Sequence, residues 1–220
     1  MGIEHKAWNW KNVAQGSWDE ISEEFLPVAL QWCDKFETIL DVGAGRGRHA
    51  LFFARNGLKS CAVDLSPDAV EMINKQAEAE NISVETAVAD MTALPYQDEM
   101  FNGVICFHTI FHTDYEGVKK AISEIYRVLK HDGEAYITFN SMDNPNFDVK
   151  KTVDGYTMIP QDGDEMGIPH CYLDWKDLFE LLKDFSIVSM NETINFIRRS
   201  KPSRGIHYFV HLKKPVKGFT

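Results

Sequence analysis

"LDVGAGRGRHALFFA", residues 40–54, is the stretch that decides the fold. A β-branched run at 38–42 leads into glycines at positions 43, 45 and 47, and a helical pattern follows. Loops that leave the carboxyl ends of strands lie where doubly wound α/β sheets bind ligands, and glycine lets a backbone approach a ligand closely. The stretch therefore predicts a strand–turn–helix unit with a binding site at the turn. The glycines alone leave open a tight turn without a ligand.

Further strands and helices alternate along the rest of the chain. Strand-like runs are found at 38–42, 59–66, 82–90, 101–107, 133–139, 185–193 and 206–213. Nearly continuous apolar strands that alternate with helices are typical of a parallel sheet covered on both faces. Since the last two strands have no helix between them, they must pair as a hairpin. We expect an α/β fold with a doubly wound, mostly parallel seven-stranded sheet and an antiparallel last strand.

Helix starts are marked by capping residues. Ser66-Pro67 places an N-cap before a proline at the first helical position, and Gly57 is a plausible end of the preceding helix. Capping boxes at 17–20 and 113–116 predict two further helix starts, with Pro27 a kink in the first of these helices.

The chain length fits one domain, residues 1–220. Within it we expect an N-terminal helical arm at 1–35 and a core at 36–139 and 174–213. Residues 140–173 are rich in Asn, Asp, Gly and Pro, and loops of this length are usually functional segments. We therefore interpret 140–173 as a substrate lid.

Composition narrows the functional classes. The net charge is −10, without the basic stripe that a phosphate backbone requires, which argues against a nucleic-acid partner. No apolar stretch is long enough to span a bilayer and no signal peptide is evident at the start, so we expect no membrane association. The four cysteines are scattered, which favours free thiols in the cytoplasm over a zinc site.

Carboxylates follow the first three strands. Asp64 ends the second strand about twenty residues beyond the glycines, where an acid accepts hydrogen bonds from ribose hydroxyls. Asp90 ends the third strand, a position from which it could accept a bond from an adenine amine, and Asp41 precedes the glycines. Because phosphate sites favour amides and cations, these acids disfavour a pyrophosphate and suit a ligand that carries an ammonium and a sulfonium.

With these motifs the chain resembles the class I S-adenosylmethionine-dependent methyltransferases, which have a Rossmann-like fold. "ILDVGAGRGRHALFFA" is similar to the family's first motif, and "CAVDLSPDAVEMI" to its ribose-binding motif. "VAD", "ALPYQDEMFNGVICF" and "EIYRVLKHDGEAYITF" resemble the next three. Together they cover about residues 36–140, in the order and at the intervals of the family.

The resemblance implies a role for each matching residue. The glycine turn would pass the methionine moiety, Asp41 would hold its ammonium, Asp64 the ribose and Asp90 the adenine amine. The cofactor-binding set is Asp41, Gly43, Ala44, Gly45, Asp64, Leu65, Asp90, Met91 and Phe107. One departure is Asn102, where the family commonly has Asp, but it starts its strand and lies away from the ligand edge.

The family has no universal catalytic residue, because an in-line displacement depends mainly on positioning. Candidate bases or substrate contacts are His108, His112 and His170, with Asp114, Tyr115 and Tyr172 nearby in sequence. A metal site formed by His108, His112 and Asp114 is a weaker alternative. In a purely structural interpretation, one histidine packs beside the cofactor, another caps a helix, and Asp174 is the N-cap of the helix after His170.

Tryptophans crowd the N-terminus at positions 8, 10 and 18. Such aromatics either cover the cofactor or stack on an acceptor, and for Trp18 we favour packing on the sheet. A small closed pocket between this arm and the 140–173 loop favours a small-molecule acceptor.

The sequence thus predicts a cytoplasmic methyltransferase, monomeric or homodimeric, that uses S-adenosylmethionine, releases S-adenosylhomocysteine and methylates a small molecule. Three alternatives remain: a methyltransferase for a tRNA base, a non-catalytic S-adenosylmethionine-binding protein and, less favoured, an NAD-dependent dehydrogenase.

Overall fold

A computed structural model describes residues 5–8, 10, 19–163, 165–197 and 203–216. The helices are α1 (Leu26–Lys35), α2 (Arg48–Arg55), α3 (Pro67–Ala79), α4 (Tyr115–Val128) and α5 (Trp175–Leu181). The strands are β1 (Thr38–Val42), β2 (Lys59–Asp64), β3 (Val84–Val88), β4 (Phe101–Cys106), β5 (Leu129–Ser141), β6 (Thr157–Met158), β7 (His170–Leu173), β8 (Ser186–Ile197) and β9 (Ser203–Lys213).

Seven of these strands form the sheet that the sequence predicts. Their order is β3-β2-β1-β4-β5-β9-β8. The pairs from β3 to β5 are parallel, whereas β9 runs antiparallel to both β5 and β8. The doubly wound α/β fold with an antiparallel last strand is therefore confirmed. The order reverses between β1 and β4, so a crevice opens at their carboxyl ends.

Two short strands in residues 140–173 were not predicted. β7 extends the ladder beyond the end of β4, with Asn140 opposite Tyr172 in parallel register, and β6 pairs antiparallel with β7. This brings His170, the first residue of β7, to the same edge of the sheet as the end of β4. The functions of 1–35 as an arm and of 140–173 as a lid stay predictions.

Two of the predicted helix starts need correction. The N-cap of α4 is Asp114, whose Oδ1 accepts a hydrogen bond from the Gly117 amide at 2.7 Å, and not Thr113. Helix α1 begins only at Leu26, with Pro27 in its first turn and not at a kink. The predicted start of α3 is confirmed, with Ser66 as the N-cap before Pro67, although the Ser66 side chain makes no capping hydrogen bond. Ser17 and Trp18, to which the first capping box belongs, lie outside the described residues.

Two other helix ends agree with the sequence. Asp174 forms a full capping box with Asp177 at the start of α5. Gly57, after α2, has a φ of +83°, a left-handed conformation that favours glycine at a helix end.

A buried carboxylate ties α1 to the sheet. Glu134 on β5 accepts hydrogen bonds from Trp32 Nε1 at 2.7 Å and Lys35 Nζ at 2.5 Å, and lies 2.9 Å from His211 Nε2 on β9. Burial opposes its charge, but the bonds to His211, Lys35 and Trp32 outweigh it and lower the Glu134 pKa to about 2. This network keeps α1 close to the sheet.

In the described part of the chain, no helix is long and apolar enough to cross a membrane. All four cysteines are free thiols.

Candidate functional site

The glycine turn after β1 is built from left-handed backbone. Gly43, Gly45 and Gly47 have φ values of +68°, +56° and +80°. A side chain is strained in this region, which explains why glycine occupies these positions. The turn is also tightly enclosed, because a Cβ on Gly43 would lie 2.0 Å from Thr109 Cγ2.

Asp64 joins this turn to the end of β2. Its Oδ2 accepts from the Gly45 amide at 2.8 Å and its Oδ1 from the Ser66 amide at 2.9 Å. Burial raises the Asp64 pKa, and the two amide bonds oppose that shift. Each carboxylate oxygen keeps a second lone pair, so Asp64 can accept further bonds from a ligand at this edge.

Asp41 lies deeper than the sequence suggests. The residue is 1% exposed, and its Oδ2 accepts from the Ala50 amide of α2 at 3.2 Å. The His49 Nδ1 atom is 4.0 Å away. Burial raises the Asp41 pKa to about 7. The structure therefore places this carboxyl under α2, and its predicted contact with an ammonium stays a prediction.

Asp90, after β3, is already engaged by the chain itself. Its Oδ1 accepts from the amide and hydroxyl of Thr92, and its Oδ2 lies 2.5 Å from His5 Nδ1. Burial opposes ionisation, but the bonds from His5 and Thr92 outweigh it and hold the Asp90 pKa well below its usual range. The bond to Asp90 in turn raises the His5 pKa.

The N-terminal arm, here residues 5–8 and 10, lies across the crevice. His5 Nε2 is 2.6 Å from Thr113 Oγ1, and Trp8 stacks on His112 with ring centroids 5.7 Å apart. The Trp10 ring covers Gly45, since a Cβ there would lie 2.4 Å from Trp10 Cζ2. The buried Trp10 Nε1 has no hydrogen-bond partner among the described residues. The arm thus contacts the glycine turn, Asp90 and the end of β4 together.

The remaining predicted cofactor residues line the same edge. Ala44 is 8% exposed and donates its amide to Val63 O, and Leu65 directly follows Asp64. Met91 is half-buried and packs on the core below β3. Phe107 is 7% exposed, with Arg48 Cζ 5.1 Å from its ring. The structure therefore gathers the whole predicted set at the carboxyl ends of β1 to β4.

The three predicted histidines come together beyond β4. His112 and His170 have ring centroids 5.0 Å apart, and His108 lies 4.6 Å from His207 of β9. His108 has a φ of +53°, a strained value for a residue other than glycine, and such strain is often found at functional sites.

The other candidates of that segment are engaged elsewhere. Tyr115 stacks on Tyr156 and Tyr172 packs on Phe147, while Asp114 caps α4. Across the described ranges, no three histidine, cysteine or carboxylate side chains are arranged to hold a metal ion. The weaker alternative of a metal site therefore gains no support from the geometry.

Sequence reasoning missed His5 and His207. His5 is far from Asp90 in sequence, and no local pattern signals their contact. His207 carries a weak signal, because residues 207, 209 and 211 alternate on one face of β9 and two of them are histidines.

The pairing of His5 with Asp90 predicts that the contact between the N-terminal arm and the sheet depends on pH. The His5 pKa is raised, so the stabilisation is fully present below the ordinary histidine pKa and is lost as pH rises through the raised value. We expect the tryptophan fluorescence to show a transition in this range that His5→Ala abolishes. The control His131→Ala, at the amino end of the sheet, should retain it; a transition that survives in His5→Ala would contradict the assignment.

Comparisons with known proteins agree with this geometry. Residues 39–133 match the model of a family described as a methyltransferase domain. YcgJ of Bacillus subtilis, described as an uncharacterized methyltransferase, is 33% identical over 111 residues, which are 49% of this chain and 42% of YcgJ. The chain thus spans less than half the length of this curated relative.

Two solved structures show the same fold. A SAM-dependent methyltransferase from Methanosarcina mazei has a TM-score of 0.74 at 17% identity, covering 90% of this chain and all of that one. The 1,6-didemethyltoxoflavin-N1-methyltransferase of Burkholderia thailandensis, solved with 1,6-didemethyltoxoflavin and S-adenosylhomocysteine bound, has a TM-score of 0.61 at 19% identity. The alignment covers 88% of this chain and 77% of the Burkholderia chain.

Proposed function

We propose that the chain is a class I S-adenosylmethionine-dependent methyltransferase that transfers a methyl group from S-adenosylmethionine to a small-molecule acceptor; the match of residues 39–133 to the methyltransferase-domain model supports this. The observation that carries the proposal is the meeting of Asp64 and Asp90 with the left-handed glycine turn at one edge of the sheet. Support for a small acceptor comes from the net charge of −10, which disfavours nucleic acid.

The residues present fit such a cofactor. Asp64 has free lone pairs for two ribose hydroxyls, and the absence of a side chain at Gly45, now covered by Trp10, would let a ligand pass close to the backbone. The bound cofactor would supply an electrophilic methyl group on a sulfonium. What the protein must add is alignment, since holding nucleophile and methyl in line removes much of the barrier.

The N-terminal arm must move before the cofactor can bind. His5 and Trp10 contact Asp90 and Gly45, the positions that the adenine amine and the methionine moiety would use. In our proposal these two side chains therefore move when the cofactor binds, and the arm closes again over it. Closure would exclude water from the reacting groups, which strengthens every electrostatic contact in the site.

Calorimetry tests the proposal. We expect S-adenosylmethionine and S-adenosylhomocysteine to bind with one site per chain, and NAD not to bind. In NMR spectra, the His5 ring resonances should shift on addition of S-adenosylhomocysteine, because Asp90 would then bind the adenine amine instead of His5. Binding of NAD alone would refute the proposal and favour a dehydrogenase.

A further inference from the structure

An aromatic cluster lies beside the proposed cofactor edge, at the carboxyl ends of β4 and β5. It consists of Phe111 and four histidines. Phe111 is 4.7 Å from His112 and 5.9 Å from His207, measured between ring centroids, and 6.2 Å from His170. Together with the His108–His207 and His112–His170 contacts, these distances define one continuous cluster of rings in contact, here termed the histidine pocket: His108, Phe111, His112, His170 and His207.

Two ring nitrogens in the pocket are buried without a hydrogen bond. Among the described residues, His170 Nε2 and His207 Nδ1 have no hydrogen-bond partner. Glu165 Oε2 lies 3.5 Å from His170 Nε2, which is within ion-pair distance but is not a hydrogen bond. A buried polar atom without a partner destabilises the folded state, and such atoms in native structures point to a ligand or a bound water. The two nitrogens are therefore positioned to receive groups of a ligand.

The pocket is uncharged at neutral pH. Burial lowers the pKa of His112 to about 3 and those of His170 and His207 to about 4. Burial lowers the His108 pKa as well, and the charge of Arg48 adds to that shift. Burial lowers the pKa of Arg48, and the carboxylates of Asp41 and Glu24 oppose that shift. A neutral imidazole has one N–H donor and one bare nitrogen that accepts, so the pocket suits an uncharged polar ligand better than a carboxylate or phosphate.

His207 is the histidine best placed for the reacting group. It lies against His108, which follows β4, and the next residue, Thr109, donates its hydroxyl to Gly43 O of the glycine turn at 3.1 Å. His170 lies against His112, and the arm residue Trp8 stacks on His112. Fewer contacts therefore separate His207 from the cofactor edge than separate His170 from it.

We propose that the histidine pocket binds the methyl acceptor, and that the acceptor is a planar, uncharged molecule methylated at an N–H or O–H group. This rests on the proposed function. His207 Nδ1 accepts the hydrogen bond of the reacting group, and His170 Nε2 binds a polar group at the far end of the acceptor. The aromatic rings pack on the acceptor's plane.

The proposed reaction moves one methyl group and one proton. The acceptor's nitrogen or oxygen forms a bond to the methyl carbon, and the carbon–sulfur bond breaks with its electron pair going to sulfur. The acceptor's proton passes to His207 Nδ1, and from the half-buried ring to water. Before transfer, the hydrogen bond to Nδ1 orients the acceptor's lone pair toward the methyl group.

Three probes with one ring system test the acceptor class. 2-Naphthol has a hydroxyl donor, 2-methoxynaphthalene lacks it, and 2-naphthoate carries a negative charge. Each is titrated by calorimetry into the full chain at pH 7, with and without saturating S-adenosylhomocysteine. We expect 2-naphthol to bind at least 10-fold more tightly than either of the others. Equal affinities, a preference for 2-naphthoate, or no binding of any probe would overturn the proposal.

Variants of His207 locate the contact. His207→Phe keeps an aromatic ring but removes the accepting nitrogen, so it should bind 2-naphthol and 2-methoxynaphthalene equally. His207→Asn, whose side-chain oxygen lies near the position of Nδ1, should restore most of the preference, and His131→Phe is the matched control away from the pocket. If His207→Phe keeps the preference, the assignment is wrong. Failure of S-adenosylhomocysteine to bind would instead refute the proposed function, which the separate titrations distinguish.

Discussion

Gly43→Ala is expected to lower the free energy of unfolding by about 4 kcal/mol. Two costs combine at this position. A left-handed φ of +68° costs an L-residue roughly 1–2 kcal/mol, and the new methyl group would overlap the Thr109 side chain, a kind of overpacking that costs roughly 1–3 kcal/mol. Urea unfolding followed by far-ultraviolet circular dichroism measures the change.

The Thr109 side chain cannot avoid the new methyl group by a change of rotamer. A Cβ on Gly43 would lie 2.0 Å from its Cγ2, 2.5 Å from its Oγ1 and 2.7 Å from its Cβ, so no rotamer clears all three contacts. Rotation would also break the hydroxyl's bond to Gly43 O. The backbone of the turn must therefore shift, and with it the edge at which Asp64 and the β4 end meet.

Gly57→Ala is the matched control. Its φ is +83°, but nothing lies within 4 Å of the position of a Cβ. It carries the conformational cost without the overlap, so we expect a loss of only about 1–2 kcal/mol. Equal losses in the two variants would show that the glycine turn is not tightly enclosed by Thr109.

Asp64→Asn is expected to weaken binding of S-adenosylhomocysteine about 10- to 100-fold, the cost of unpaired buried polar groups. The carboxylate accepts from two amides, at Gly45 and Ser66, and has lone pairs left for ribose hydroxyls. An amide offers one accepting oxygen, and its NH2 would face a backbone N–H that also donates. The variant thus loses a ligand contact and misplaces the glycine turn together.

Calorimetry gives the affinity, and thermal unfolding without ligand separates loss of the fold from loss of the contact. Glu37→Gln is the control, because it neutralises an exposed carboxylate at the opposite, amino end of β1 and should leave affinity unchanged. If Asp64→Asn binds S-adenosylhomocysteine as tightly as the unaltered protein, the ribose does not lie at this carboxylate.

Much of the fold was predictable because its signals are local. β1 has the predicted bounds, 38–42, since a β-branched run followed by glycine leaves little choice of conformation. The antiparallel last strand followed from the absence of a helix between β8 and β9. Features that depend on tertiary contacts were predicted less well. At α4, both Thr113 and Asp114 are acceptable capping residues. Asp114 is the N-cap, because the Thr113 hydroxyl lies against His5.

The sequence by itself determined the sheet, the glycine turn and the set of acids at its edge, because strand order places the carboxyl ends of β1, β2 and β3 side by side. Only the tertiary structure decided that His5 pairs with Asp90, that Trp10 covers Gly45 and that His207 joins the other histidines. These contacts join residues far apart in the chain, and nothing in a local pattern specifies them. The physical reason is that a strand's conformation depends on its neighbours in sequence, whereas a pocket depends on which buried surfaces pack together.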